Sequence, residues 1–187
     1  KGDKNAHITF RRGFRAFFQD LEIAPVLCGS RDEAFKRFKV ATQASPDVFN
    51  VLLVDSEEPL FLQNGPRDHL SLRDKWDLPK IGDEHYHLMV RMMEAWLIAD
   101  VKALHDFYGQ GFNANAIPKN TNVEDVEKAK IESALKAATR QTQKGEYHKT
   151  KHAPKLLELV DVSKVRKAAH HCDRLFITLM AKLGSAK

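Results

Sequence analysis

The chain has 187 residues, 43% of them hydrophobic and 29% charged, and a formal net charge of +5 with its nine histidines counted as neutral. That length is enough for one ordinary domain with a packed core, and its apolar runs, a few residues each, fall far short of a membrane span. A basic balance favours polyanionic partners without establishing one; the polar opening KGDKNAHITF and two cysteines, Cys28 and Cys172, without metal-type spacing lead us to expect unpaired thiols in a reducing, cytoplasmic setting.

In chain order, AHITFRRGFRAFFQDL places Ile8, Phe14, Phe17, Phe18 and Leu21 near helical spacing, with Arg11, Arg12 and Arg15 between them. This predicts an amphipathic helix. APVLCG, closed by Gly29, reads as a short strand. SRDEAFKRFKVATQA opens with Ser30 and, three residues on, Glu33, a capping-box start to a second helix. FNVLLVDSEEP is apolar without alternation until Asp55, the pattern of a strand covered on both faces in a parallel sheet. Residues 61–83 are turn-rich and read as a long loop. HLMV fits another strand, and MMEAWLIAD and VKALHDFYG fit helices, the second stopped by Gly109. GFNANAIPKNTN is a loop, and NVEDVEKAKIESALKAATRQ a helix with Asn122 as cap. The last thirty or so residues supply one or two more helices, with Asp161 or Ser163 as a cap. Strand and helix alternate in the first third, as in parallel sheets, and the second half is mainly helical.

The acids Asp55, Glu57 and Glu58 at the end of the LLVD run have two readings. One is a solvated strand end. The other is a metal site, because residues i and i+2 of a strand share a face. Two carboxylates drawn to 4 Å repel by about 4 kcal/mol at an effective dielectric of 20. A divalent cation removes that repulsion, and oxygen ligands suit Mg²⁺ or Mn²⁺. Glu94, among Met93 and Trp96, either needs a partner or lies on a wet helix face. Asp100 reads as a helix-end residue and Asp3, in KGDKN, as a turn residue.

GEYHKTKHAPK gathers Tyr147, His148, Lys149, Lys151 and His152. Such a group either binds phosphate with a stacking aromatic or is a solvated loop before a helix. His85 and His87 share a strand face but have no third ligand for zinc. Adjacent His170 and His171 cannot both face one site on a helix. The chain carries no GxxxxGK(S/T) loop, GxSxG elbow or HExxH pair.

LLVDSEEP, HLMVRMMEAWLIAD, GFNANAIP and GEYHKTKHA, in that order, resemble an uncharacterised bacterial family of Toprim-related proteins over nearly the whole chain. The resemblance implies an α/β fold, a Toprim-like parallel sheet flanked by helices, with a mainly helical C-terminal half. It divides the chain into a core over 1–100 and a helical extension over 101–187, packed as one unit. Toprim chemistry rests on an EGxxD turn and a DxD motif that bind Mg²⁺ for phosphodiester cleavage. KGD matches the end of EGxxD, so Asp3 is its aspartate; the motif's Glu would precede Lys1. DSE matches DxD, with Asp55 and Glu57 as metal ligands and Glu in the second position.

The resemblance thus implies a Mg²⁺- or Mn²⁺-dependent nuclease on DNA or RNA, with a partner ATPase in a bacterial defence locus. Glu94 supplies a further carboxylate, and Lys149 and His152 position a phosphate or protonate the leaving group. Arg11, Arg12 and Lys151, with Lys149, contact the nucleic acid. The alternatives are a non-catalytic nucleic-acid-binding or regulatory subunit, and hydrolysis of small phosphate esters.

Overall fold

The computed structural model describes residues 4–60 and 65–184. Helix α1 runs over Lys4–Phe17. Phe14 and Phe17, with Phe18 and Leu21 just beyond, are buried, while Arg11, Arg12 and Arg15 face water. The apolar spacing of the sequence sets that division. Residues 24–29, expected as a strand, join no sheet. Pro25 has no N–H for a ladder, and Val26 is left exposed. Helix α2, Arg31–Ala44, starts where expected: the Ser30 hydroxyl accepts from the Glu33 amide at 3.2 Å. Glu33 does not close the box; its carboxylate pairs with Arg37 at 3.0 Å.

Strand β1, Leu52–Asp55, is followed by α3, Pro66–Asp74, within the stretch expected to be a loop. The correction has a local cause. Pro66 sits at the first helical position, where its missing N–H is harmless, and His69 and Leu70 anchor the inner face. Strand β2, Tyr86–Met89, begins one residue before HLMV. It pairs with β1 in parallel, Leu52 opposite Tyr86 and Asp55 opposite Met89. Among the described residues this is the whole sheet.

The remainder is helical: α4, Glu94–Ile98; α5, Val101–Tyr108; α6, Lys128–Thr139; α7, Lys149–Leu159; α8, Val162–Ala168; and α9, His170–Gly184. Asp100 caps α5 by accepting from the Ala103 amide, and Gly109 ends it at φ +70°. Asn122 caps only a 3₁₀ turn over Val123–Asp125, so the long helix starts later than expected. Asp161 caps α8 as expected, and three helices rather than two fill the C-terminal region.

Leu52 and Val54 point with Tyr86, Leu88 and Val90 into a small core under α2 and α3. The other face, with Leu53 and Met89, meets a larger core that runs from Phe14 through Trp96 and Leu135 to Leu179. That core draws on residues from both sides of position 100. Cys28 and Cys172 are free thiols, and among the described residues no helix is long and apolar enough to cross a membrane.

Candidate functional site

The site begins where β1 ends. Asp55, the last residue of the strand, lies on the large-core side, and its Oδ1 accepts from the Met93 amide at 2.8 Å. That amide belongs to the turn that leads from β2 into α4, so the parallel pairing itself brings Asp55 to α4. Glu94, the first residue of α4, is only 2% exposed. Its two oxygens are answered by one segment: Oε1 accepts from the Tyr147 hydroxyl at 3.0 Å and Oε2 from Lys149 Nζ at 3.1 Å. Lys149, the first residue of α7, also reaches Asp55 Oδ2 at 3.8 Å. One ammonium therefore serves two carboxylates.

Two acids and one lysine leave a net negative charge in a largely enclosed place. Burial pushes the Asp55 carboxyl up to about 6; Lys149 and the Met93 amide oppose that rise, and Glu94 and Glu57 add to it. For Lys149, burial acts to lower the pKa, but the carboxylates of Glu94, Asp55 and Glu57 outweigh it and hold the ammonium above its ordinary value. Burial, and then the charge and hydrogen bond of Glu94, push the Tyr147 phenol up.

Glu57 does not follow the strand rule. The strand stops at Asp55, and Glu57 adopts a left-handed backbone, φ +65°. Its turn is held firmly. The Ser56 and Glu57 amides donate to the carbonyls of Met89 and Arg91 at 2.9 and 3.0 Å. Ser56 Oγ accepts from the Arg91 amide at 2.7 Å, and His69 Nε2 donates to the Ser56 carbonyl at 2.9 Å. The Glu57 carboxylate pairs with Lys128, the first residue of α6. Burial alone would raise its pKa; Lys128, then Arg31 and Arg73, hold it below the usual carboxylate range.

Other residues singled out in the sequence lie apart or play other parts. Nδ1 of buried His152 accepts from the Tyr108 hydroxyl at 2.9 Å and from the His148 amide at 3.1 Å. Its neutral ring therefore carries the proton on Nε2, and burial followed by the charges of His148, Lys151 and Lys144 lowers its pKa. Lys151 is exposed. Arg11 is exposed on α1, and Arg12 pairs with Glu158 of α7 at 2.7 Å. Asp100 pairs with Lys164 at 2.7 Å, as befits a helix-end residue. His87 is buried, with Nε2 donating to the Glu84 carbonyl at 2.9 Å; burial and then Arg174 depress it to about 4. Asp3 lies outside the described residues.

Asp55 and Glu94 are hard oxygen donors of the kind that suits Mg²⁺, an ion that needs few protein carboxylates because it keeps its waters. Burial holds the Asp55 carboxyl above the usual carboxylate range even with Lys149 beside it. Among the described residues, however, no group of three His, Cys, Asp or Glu side chains gathers as a metal site. Two acids fit such an ion in kind, with Lys149 between them.

Arg31, Arg73 and Lys128 were not singled out in the sequence. For Arg31 and Lys128 a local signal did exist. Helices α2, α6 and α7 each start on a cation, Arg31, Lys128 and Lys149. A cation at that end opposes the helix dipole, which favours anions there.

A parallel strand edge with one buried and two half-buried acids and helix-starting cations defines a mixed α/β protein with a charged centre. A family model described as Domain of unknown function (DUF4276) matches residues 7–180, and the chain belongs to that family. Comparison with curated proteins and with solved structures returned no match.

Proposed function

We propose that this protein is a Toprim-like, Mg²⁺- or Mn²⁺-dependent nuclease acting on DNA or RNA. The observation that carries the reading is the half-buried Asp55 carboxylate beside buried Glu94 at the carboxyl edge of a parallel strand, with one lysine between them. Ligands of open α/β sheets sit at that edge. Asp55 and Glu94 would hold the ion, with Glu57 a further ligand once free of Lys128. A bound divalent ion would stabilise charge on the phosphate and activate water. Lys149 would orient a phosphoryl oxygen, and Tyr147 would keep Glu94 aimed at the centre. Exposed Arg11 and Lys151 would add phosphate contacts. A partner ATPase and a role in bacterial defence belong to the same proposal, by analogy with Toprim-related proteins.

One observation favours a second reading, a non-catalytic nucleic-acid-binding or regulatory subunit. Lys149 and Lys128 already answer Glu94, Asp55 and Glu57.

Calorimetry with Mg²⁺ and Mn²⁺, followed by cleavage assays on single- and double-stranded DNA and RNA, separates the two. The nuclease reading expects saturable metal binding and cleavage, both lost in Asp55→Ala. Nucleic-acid binding without metal uptake or cleavage would establish the second reading instead. In either case affinity for nucleic acid should fall steeply with added salt, because phosphate contacts release counterions.

A further inference from the structure

Asp55 and Glu94 carry four carboxylate oxygens between them, and these are held in two different ways. Asp55 Oδ1 accepts at 2.8 Å from the Met93 amide, a backbone group at the entry to α4. Glu94 Oε1 accepts from the Tyr147 hydroxyl at 3.0 Å. Tyr147 is itself fixed, because its amide donates at 2.7 Å to the hydroxyl of buried Thr139. The other two oxygens, Asp55 Oδ2 and Glu94 Oε2, share one partner: Lys149 Nζ lies 3.8 Å from the first and 3.1 Å from the second.

Of these three partners Lys149 is the one that can leave with the backbone in place. Its side chain is 47% exposed, against 18% for Asp55 and 2% for Glu94. A lysine ammonium is strongly hydrated and rides on a flexible four-carbon stem, so water receives it readily. Charge points the same way. Two carboxylates and one ammonium leave one negative charge at this point, since Lys128 is engaged with Glu57. A divalent cation in place of the ammonium would leave none.

We propose that Lys149 is the resident counter-ion of this centre: its ammonium holds the place between Asp55 Oδ2 and Glu94 Oε2 that a divalent cation takes up, and it withdraws toward water when the cation enters. The inference rests on the metal-dependent reading above and adds what keeps that site closed and which two oxygens it offers. One lysine then has two successive parts. It neutralises the acids while no ion is bound, and once released it has an ammonium to present to a phosphate. The Met93 amide and Tyr147 keep the other two oxygens, so both carboxylates stay aimed during the exchange.

The test is metal binding by the full chain without nucleic acid, so that turnover does not enter. Mg²⁺ and Mn²⁺ are titrated by calorimetry into the parent protein, Lys149→Met and Lys149→Arg. Lys149→Met should bind either ion about tenfold more tightly, because no ammonium competes for the two oxygens. Lys149→Arg should bind about tenfold more weakly, because a guanidinium can hold both oxygens with separate donors and is harder to displace. The arginine variant keeps the positive charge, so it keeps the test open should Lys149→Met fail to fold. In the parent protein the Lys149 ammonium signal, followed by NMR, should move toward that of a hydrated lysine as Mg²⁺ saturates. Weaker binding by Lys149→Met, or a saturated parent whose Lys149 signal stays in place, would overturn the exchange. The nuclease reading can fail separately. Uptake by Lys149→Met but not by the parent keeps Lys149 as the counter-ion and removes the metal-dependent nuclease. Equal affinity in the parent and Lys149→Met keeps the metal and removes the exchange, and no uptake by any of the three proteins overturns both.

Discussion

At the scale of single residues the centre is built against stability. Asp55 has a carboxyl displaced from an ordinary 3.8 to about 6, and its side chain is 18% exposed. The folded protein therefore holds the Asp55 proton more tightly than the unfolded chain does. Stability falls as pH rises from the unfolded pKa through the folded one, by about 3 kcal/mol in all for a shift of that size. Asp55→Asn removes the charge and keeps an oxygen for the Met93 amide. It should stabilise the apo-protein by about 2 kcal/mol at pH 7.5, and the gain should vanish below about pH 3, where Asp55 is neutral in both states. Urea unfolding at the two pH values measures this; an equal gain at both would show that charge is not the cause. Lys149→Met takes the other side of the same interaction. It leaves Glu94 with Tyr147 alone and Asp55 with no ammonium, so a loss of about 2–3 kcal/mol is expected at neutral pH. The Asp55 carboxyl should titrate still higher, which a carbon-detected NMR titration reads directly.

At the scale of elements, close crossings decide more than helix propensity. α1 and α7 meet at Gly13, where an added Cβ would come within 2.5 Å of the Pro154 carbonyl oxygen. In isolation Gly13→Ala would favour the helix. Here the helices must separate, and we expect a net loss of about 2 kcal/mol, in the range of overpacked cores. A chemical denaturation midpoint checks it. Legibility differed between elements for the same kind of reason. α1, α2 and α5 could be read because a stripe, a cap or a terminal glycine lies within a few adjacent residues. α3 escaped notice because PRDHLSLRD offers only Pro66, His69 and Leu70 as buried positions among charges. APVLCG looked like a strand by composition, but a strand exists only where a neighbour accepts its ladder.

At the scale of the molecule the larger core joins Phe14, Phe17 and Trp96 from the first hundred residues to Leu135, Leu156 and Phe176 from the rest. Phe17 stacks on Trp96 at 5.0 Å between centroids and meets Phe176 edge-on at 5.9 Å. A fragment of residues 1–100 would expose the Trp96 side of this core. It should show no cooperative thermal transition, whereas the whole chain should unfold in a single one. Two separate transitions in the intact protein would contradict that unity.

By itself the sequence determined the apolar stripe of α1, the Ser30 start of α2, the run that ends β1 at Asp55 and the presence of acids and lysines in its later segments. Those features are written in neighbouring residues, since helix and strand periods and caps span only a few positions. Tertiary structure alone decided that β1 pairs with β2 in the register that sets Asp55 against the Met93 amide. It also decided that Lys149, 55 positions away, answers Glu94, and that Glu57 turns out of the strand to Lys128, 71 positions away. The strand rule put Asp55 and Glu57 on one face, but that rule holds only while the backbone stays extended, and here Glu57 turns left-handed at φ +65°. Which distant cation meets which acid depends on how helices pack over the sheet, and no local pattern carries that information.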